Sequence, residues 1–317
     1  MTPERPRRAD ATDAPVETPQ DASVAVSRVD EPSALQGPGS APLYAALDLG
    51  TNSCRMLIAQ PLGSQFTIVD SFSKSVQLGV GLEASGRLSR ASMVRTIQAL
   101  RICEKKIEKH GVRRMRLVAT EACRRARNAK DFIRQVRRET GLALEIIAPE
   151  EEARLAVISC APLVNTSTEQ LLVVDIGGGS TELVWIDLSA VPPAERPKAI
   201  MRLHMGFNAQ GEGAVARVVD WISVPLGVAT LKDQFIDVDD DAARFALMSW
   251  FFEENLASFS PYNANNPREG FQIIGTSGTV TTVAASFLNL KRYDRTKVDG
   301  LQMTSDQIDL VIREYLA

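Results

Sequence analysis

Two short segments of this chain hold residue types suited to phosphate chemistry, and they are versions of one another. Asp48-Leu49-Gly50-Thr51-Asn52-Ser53 and Asp175-Ile176-Gly177-Gly178-Gly179-Ser180 both read Asp-x-Gly-x-x-Ser, each after an apolar run, 43–47 and 171–174. In each, a buried strand should give way to a tight turn whose glycines and hydroxyls leave backbone N–H groups free beside an aspartate, as a phosphate and its cation require. Thr51, Asn52, Ser53, Ser180 and Thr181 are therefore candidate donors to phosphoryl oxygens, and Asp48 and Asp175 are candidate cation ligands. Three successive glycines, Gly177, Gly178 and Gly179, cost conformational entropy and are expected to allow a ligand to approach closely. The two motifs start 127 residues apart, which predicts two similar half-molecules facing each other with phosphate between them. A third turn, Gly275-Thr276-Ser277-Gly278-Thr279, has the same character without an aspartate. It adds Ser277 and Gly278 as phosphate-binding candidates, although a plain strand-to-helix turn explains it as well.

Acidic and basic residues cluster at two further places. Glu121 follows the short strand expected at 115–119 and Thr120, at a carboxyl end where a catalytic group would face a cleft. Around it stand Arg113, Arg114, Arg116, Arg124, Arg125, Arg127 and Lys130. A charge run is usually a solvated face, but this chain has a formal net charge of −3, and attraction of a polyanion explains a local basic excess, with Arg124 and Arg125 as phosphate ligands. Glu150, Glu151 and Glu152 open a helix after Pro149. The helix dipole alone accounts for acids in a first turn. Successive helical residues point about 100° apart, so Glu150 and Glu152 are expected to face the cleft as base or cation ligand, leaving Glu151 outward.

The elements that must hold these residues are legible in outline. With 317 residues, 44% of them hydrophobic, the chain can fill a large core, and its length predicts two domains. Residues 1–41 mix Pro, Ala, Ser and charged residues without periodicity and are expected to be a disordered tail. An N-terminal domain over 42–164 and a C-terminal domain over 165–317 should each begin β-β-β-α. The first would comprise strands at 43–47, 55–60 and 65–76, then a helix over 90–109 capped by Ser89 and ended by Gly111. The second would start at 171–174 and 183–186, with a third strand near 198–204, a helix over about 240–259 and a strand at 271–274. The four cysteines are widely spaced without a CxxC and there are two histidines, which argues against a zinc site, a disulfide framework or a histidine-rich metal centre. No apolar run approaches the roughly 20 residues of a membrane span, and the start lacks the apolar core of a signal peptide. The expected compartment is the cytoplasm, with neither nucleic acid nor membrane as a partner.

Five segments, taken together and in order, resemble one family. They are 45–53 (Ala-Ala-Leu-Asp-Leu-Gly-Thr-Asn-Ser), 118–124 (Val-Ala-Thr-Glu-Ala-Cys-Arg), 150–154 (Glu-Glu-Glu-Ala-Arg), 174–182 (Val-Asp-Ile-Gly-Gly-Gly-Ser-Thr-Glu) and 275–279 (Gly-Thr-Ser-Gly-Thr). The likeness is to the exopolyphosphatase and guanosine pentaphosphate phosphatase (Ppx/GppA) family. The glycine turns are shared with the wider actin-like ATPase superfamily, whereas Ala-Thr-Glu-Ala and Glu-Glu-Ala-Arg are characteristic of the phosphatases. What the resemblance implies is an α/β fold of two ribonuclease H-like domains around a central cleft. It also implies Mg²⁺- or Mn²⁺-dependent removal of a terminal phosphate from polyphosphate or pppGpp, with polyphosphate or a guanosine penta- or tetraphosphate as partner. A homodimer is a separate expectation, since the sequence itself does not reveal the oligomeric state. Carried onto this chain, Glu121 would orient or deprotonate the attacking water, Asp48 and Asp175 would bind the cation, and Gly177 to Thr181 would cradle phosphate. Family members usually continue beyond Lys297-Val298-Asp299-Gly300 with more helices and a glycine-rich Arg-Glu-Gly segment, so the second domain is expected to be short or truncated. Two other classes share the same turns: a kinase, which would need an acceptor site, and a non-catalytic polyphosphate or alarmone sensor.

Removing residues 1–41 should leave the melting temperature within a degree or so of the full chain, because that composition offers no core. A thermal melt of both proteins checks this, and a drop of several degrees would mean that the tail docks.

Overall fold

The computed structural model describes residues 42–63, 65–203, 206–207, 215–259 and 270–316. The expected tail lies outside the described residues. Two mixed β-sheets are built on one plan. In the first, β1 (Tyr44–Leu49), β2 (Ser53–Leu62) and β3 (Gln65–Ser75) form an antiparallel meander. After α1 (Leu82–Ser85) and α2 (Arg90–Lys109), β4 (Arg114–Ala119) returns parallel to β1. Then α3 (Glu121–Arg125) and α4 (Ala129–Thr140) lead to β5 (Glu145–Ile146), giving the order β3-β2-β1-β4-β5. Following α5 (Pro149–Ser159), the second sheet repeats this with β6 (Gln170–Ile176), β7 (Thr181–Asp187), α6 (Arg196–Arg202), β8 (Arg217–Val224), α7 (Val228–Gln234), α8 (Asp241–Leu256) and β9 (Phe271–Thr276). Its order is β8-β7-β6-β9, with β9 parallel to β6, and α9 (Ser277–Phe287), α10 (Arg295–Val298) and α11 (Ser305–Leu316) follow. The second sheet thus has four strands against five in the first, among the described residues.

Local sequence explains most of these elements. Ser89 accepts a hydrogen bond from the Ser92 backbone N–H at 3.1 Å and so caps α2, and Ile97, Leu100 and Ile107 are buried at helical spacing. In β6 and β7 alternate residues serve opposite faces. Leu171, Val173, Val184 and Ile186 join one core, while Leu183 joins another, beside the partly buried Leu172, Val174 and Trp185. A sheet covered on both faces reads as a continuous apolar run rather than an alternation, which is why 171–174 is uniformly hydrophobic.

Two features differ from the sequence reading. The stretch near 198–204 is helix as far as it is described: Pro197 stands in the first turn of α6, and Ala199 and Ile200 are buried on one side of it. The third strand is β8, twenty residues later, where Val218 and Trp221 pack against the core. The other difference concerns α5. The core of the first sheet ends at Leu144, whereas Ala153, Val157 and Cys160 belong to the core of the second. A boundary at residue 164 places α5 with the first half in sequence, but its apolar side packs with β6 and β7. Among the described residues, no helix is long and apolar enough to cross a membrane.

The start of α7 locks the β6–β7 turn. The Val228 and Ala229 backbone N–H groups donate to the carbonyls of Gly177 and Gly178 at 3.2 and 2.9 Å. A Cβ on Gly227 would lie 2.5 Å from backbone atoms of both Gly178 and Gly179. Backbone cannot swing aside as a side-chain tip does, so Gly227→Ala should cost about 1–3 kcal/mol. Urea denaturation of the variant reads this directly, and an unchanged midpoint would show that the turn yields freely.

Candidate functional site

The repeated motif is repeated in its hydrogen bonding. Gly50 N–H donates to the Ser53 carbonyl at 2.9 Å, and Gly177 N–H donates to the Ser180 carbonyl at the same distance. Both turns, with the start of α3 and the start of α9, line one cleft between the sheets. The turns touch each other. A Cβ on Gly179 would lie 2.2 Å from Thr51 Oγ1, and one on Gly178 would lie 2.9 Å from Asn52 Cβ. The glycines are therefore required by the opposing turn of the same chain, not only by a ligand. Among the described residues, the buried side-chain polar atoms with no hydrogen-bond partner are Thr51 Oγ1, Arg124 Nη2, which nonetheless faces Glu121 Oε2 at 2.8 Å as an ion pair, and Asp175 Oδ1. Two of the three belong to residues lining the cleft. An unpaired buried polar atom costs about 1–3 kcal/mol, so their concentration here marks a place made for something else.

Carboxylates of like charge converge on this cleft. Asp48 is open to water through the mouth but crowded by protein elsewhere. Lost hydration, then the charges of Glu152 and Asp175, push its carboxyl up to about 7 against the pull of Arg55. Asp175 is raised to about 6, by desolvation and Glu152, while a hydrogen bond from Ser277 and the charge of Arg55 oppose this. Glu182 is raised to about 8 for the same first two reasons, despite hydrogen bonds from Ser223 and Ser180. Burial raises Glu152 as well, against the nearby Arg124 guanidinium. Glu152 acts on all three of the others, so it stands at the electrostatic centre.

Most of the residues expected from sequence line the cleft: Asp48, Thr51, Asn52, Ser53, Glu121, Glu152, Asp175, Gly177, Gly178, Gly179, Ser180 and Ser277. Ser277 has a left-handed φ of 73°, a conformation rare outside glycine and often found at functional turns. Other candidates stand apart from the lining. Glu150 is exposed on α5. The Thr181 hydroxyl donates to the Leu226 carbonyl at 2.7 Å. Gly278 lies against Arg55, whose Nη2 would be 2.8 Å from a Cβ there. Arg125 forms an ion pair with Glu83. Arg124 contacts Glu121 Oε2 through Nη2 at 2.8 Å and Glu152 Oε2 through Nη1 at 2.6 Å, and it donates to the Ile147 carbonyl at 3.1 Å. It holds two acidic residues in place rather than facing the cavity. Glu151, expected to point outward, pairs with Arg116 and Arg154.

Sequence reasoning missed Arg55 and Glu182, both in the lining. They occupy the same place in the two repeats. Arg55 faces Asp48 across the β1–β2 ladder, and Glu182 faces Asp175 across the β6–β7 ladder. Following the repeat two residues past its serine would have found them.

The donor set fits a hard cation. No three of His, Cys, Asp and Glu among the described residues come together as a ready-made cage. Mg²⁺ does not need one, since it is typically held by one or two carboxylates plus substrate phosphates and water. Asp48 and Asp175 would provide those carboxylates, and the unpartnered Asp175 Oδ1 has a lone pair to give.

A family model described as the Ppx/GppA phosphatase family matches residues 57–312. The chain belongs to the Ppx/GppA phosphatase family. A guanosine-5'-triphosphate,3'-diphosphate pyrophosphatase of Aeromonas hydrophila is 30% identical over 263 residues, covering 83% of this chain and 47% of that protein. The chain thus spans about half the length of this curated relative. Among solved structures, the Ppx/GppA enzyme of Aquifex aeolicus is 32% identical with a TM-score of 0.63, over 87% of this chain and 81% of that one. An exopolyphosphatase-like protein is 28% identical with a TM-score of 0.71, over 86% and 77% of the two chains. The two-domain α/β fold is that of these Ppx/GppA structures.

Raised carboxyl pKa values bear on stability. In the folded protein these acids keep their protons up to about pH 6–8, whereas in the unfolded chain they ionise near 4. Between those limits the folded state binds more protons, so without cations its stability should fall as pH rises from about 4 to 8. An Asp48→Asn/Asp175→Asn double variant should melt higher than the parent at pH 7.5 in chelator. Added Mg²⁺ should raise the melting temperature of the parent and not of the variant. Equal Mg²⁺ responses in the two melts would remove both aspartates from cation binding.

Proposed function

We propose that this chain is a phosphoanhydride hydrolase that removes the terminal phosphate from inorganic polyphosphate or from a guanosine pentaphosphate, with water as nucleophile and Mg²⁺ or Mn²⁺ as cation. The observation that carries the reading is the meeting of two aspartate turns of one pattern in one cleft, with the partnerless polar atoms Thr51 Oγ1 and Asp175 Oδ1 among its lining residues. Family membership supports it, as does the activity in the name of the Aeromonas relative.

Phosphoryl transfer asks a protein mainly for positioning and for neutralisation of charge. Backbone N–H groups of the two turns, the hydroxyls of Thr51, Ser53, Ser180 and Ser277, and Arg55 bind and orient the terminal phosphate. Asp48 and Asp175 hold the cation, directly or through water. The cation supplies charge neutralisation on the phosphoryl oxygens. Glu152 is the group we assign to accept the proton of the attacking water, because it lines the cleft and its charge acts on both Asp48 and Asp175. Burial raises its proton affinity, the direction a general base at neutral pH needs. Glu121 lies beside it, but both its oxygens face guanidinium groups, Arg124 at 2.8 Å and Arg125 at 3.8 Å, whereas the ion pair of Glu152 with Arg124 at 2.6 Å engages Glu152 Oε2 alone. Its role here is to fix Arg124, which in turn fixes Glu152. Glu182 is the alternative base.

Phosphate release by the chain should therefore be seen with Mg²⁺ and tripolyphosphate, long-chain polyphosphate or pppGpp, and with no acceptor present. Glu152→Gln should lower kcat by about 10²- to 10⁴-fold with little change in KM, and Glu121→Gln by less. A folded Glu152→Gln enzyme with near-normal turnover would move the base to Glu182 or Glu121. Release that depends on an acceptor would point to a kinase instead.

A further inference from the structure

The basic residues around α3 are not all spent on ion pairs. Arg125 is taken by Glu83, and Asp131 is matched by Arg134. Arg87, Arg90, Arg127 and Lys130 are exposed, and none of them forms an ion pair among the described residues. The fold gathers them at one corner. Asn128, a buried side chain, accepts from the Leu88 N–H at 2.8 Å and donates to the Leu88 carbonyl at 3.0 Å. The Arg127 N–H donates to the Gly86 carbonyl at 3.0 Å, and its guanidinium lies over Gly86 and donates to the Ser85 carbonyl at 3.3 Å. These bonds staple the loop before α2 to the loop before α4, so cations from two distant stretches of sequence share one surface.

Two chain paths join this corner to the cleft. One begins at Gly79, packed on Thr51 in the first turn, and runs through α1 to Arg87. The other begins at Glu121 in the cleft lining and ends at Arg127, with the short helix α3 covering about 6 Å of the way. The Glu83–Arg125 ion pair ties the two paths together between cleft and corner. We propose that Arg87, Arg90, Arg127 and Lys130 form a second anion site, which holds distal phosphates of a long polyphosphate whose end lies in the cleft. The proposal rests on the hydrolase reading above and adds a preference for chain length to it. A short substrate ends before the corner, while a long one gains contact with four unpaired cations, Arg guanidinium groups being well matched to phosphate oxygens.

The test compares the parent with an Arg87→Gln/Arg90→Gln/Lys130→Gln variant, leaving Arg127 because it packs on Gly86. Phosphate release is measured from long-chain polyphosphate and from tripolyphosphate, and fluorescence anisotropy of end-labelled long-chain polyphosphate gives binding without turnover. At low salt the variant should show KM and Kd for the long chain raised about tenfold, converging with the parent as salt screens the corner. Its kcat and KM on tripolyphosphate should not change. Unchanged long-chain affinity, or equal losses on both substrates, would overturn the proposal. Arg90→Glu, a single change at an exposed position, repeats the comparison should the triple variant fold poorly. If the parent releases no phosphate from any substrate, the hydrolase reading fails, and the anisotropy comparison still decides whether the corner binds polyphosphate.

Discussion

Like charges held close together in a poorly hydrated cleft are the constraint on which the site depends. Desolvation raises the proton affinity of Asp48, Asp175, Glu152 and Glu182, and the charge of Glu152 adds to the effect at the other three. A fold does not keep such an arrangement for its own stability, since a lone buried charge is penalised and like charges compound the penalty. Arg55 and Arg124 relieve part of it from the two sides. The remainder calls for a cation, and the surrounding N–H groups, hydroxyls and Arg55 call for an anion. The phosphate and divalent ion of the proposed reaction would satisfy both demands at once.

The scaffold delivers these groups by doing the same thing twice. Each half places an aspartate at the end of its first strand and turns sharply, so that the second strand sets a charged residue directly opposite. In the first half that residue is Arg55, and in the second it is Glu182. One repeat thereby offers a cation and the other an acid at equivalent positions. The duplication makes the cleft symmetrical in backbone and asymmetrical in charge, which suits a substrate that presents negative oxygen on one side and an attackable phosphorus on the other. Helix α5 breaks the symmetry further. Its apolar side belongs to the second core, and its first turn carries Glu152 into the lining beside elements of the first half.

Contact between the halves also sets the price of change at the glycines. Thr51 presses on Gly179, Asn52 on Gly178, and Gly227 closes over the same turn from behind. A side chain at any of these glycines meets protein before it meets a ligand. The Thr51 hydroxyl, buried and partnerless, is left at the seam between the two turns, where a bound phosphoryl oxygen would be shared by both halves.

The sequence by itself determined the duplicated aspartate turns, the helix Arg90–Lys109 with its serine cap and the fold plan of two similar halves. Spacing, capping and glycine content are local properties, and local physics is enough to read them. It also placed Glu121, Glu152 and the turn residues in one neighbourhood, because repeated motifs at strand ends imply a shared cleft. Only the tertiary structure decided which charges remain available there. Whether Arg124 meets substrate or clamps Glu121 and Glu152 depends on an ion pair spanning 28 residues, and whether Glu150 faces in or out depends on how α5 docks on the second sheet. Arg55 and Glu182 hold matching places in the sequence repeat, but strand register is what sets them opposite Asp48 and Asp175, and the strand expected near residues 198–204 gave way to a helix because Pro197 and the buried Ala199 and Ile200 favour one. Side-chain pairing is settled by packing between distant segments, and no local pattern in the chain encodes it.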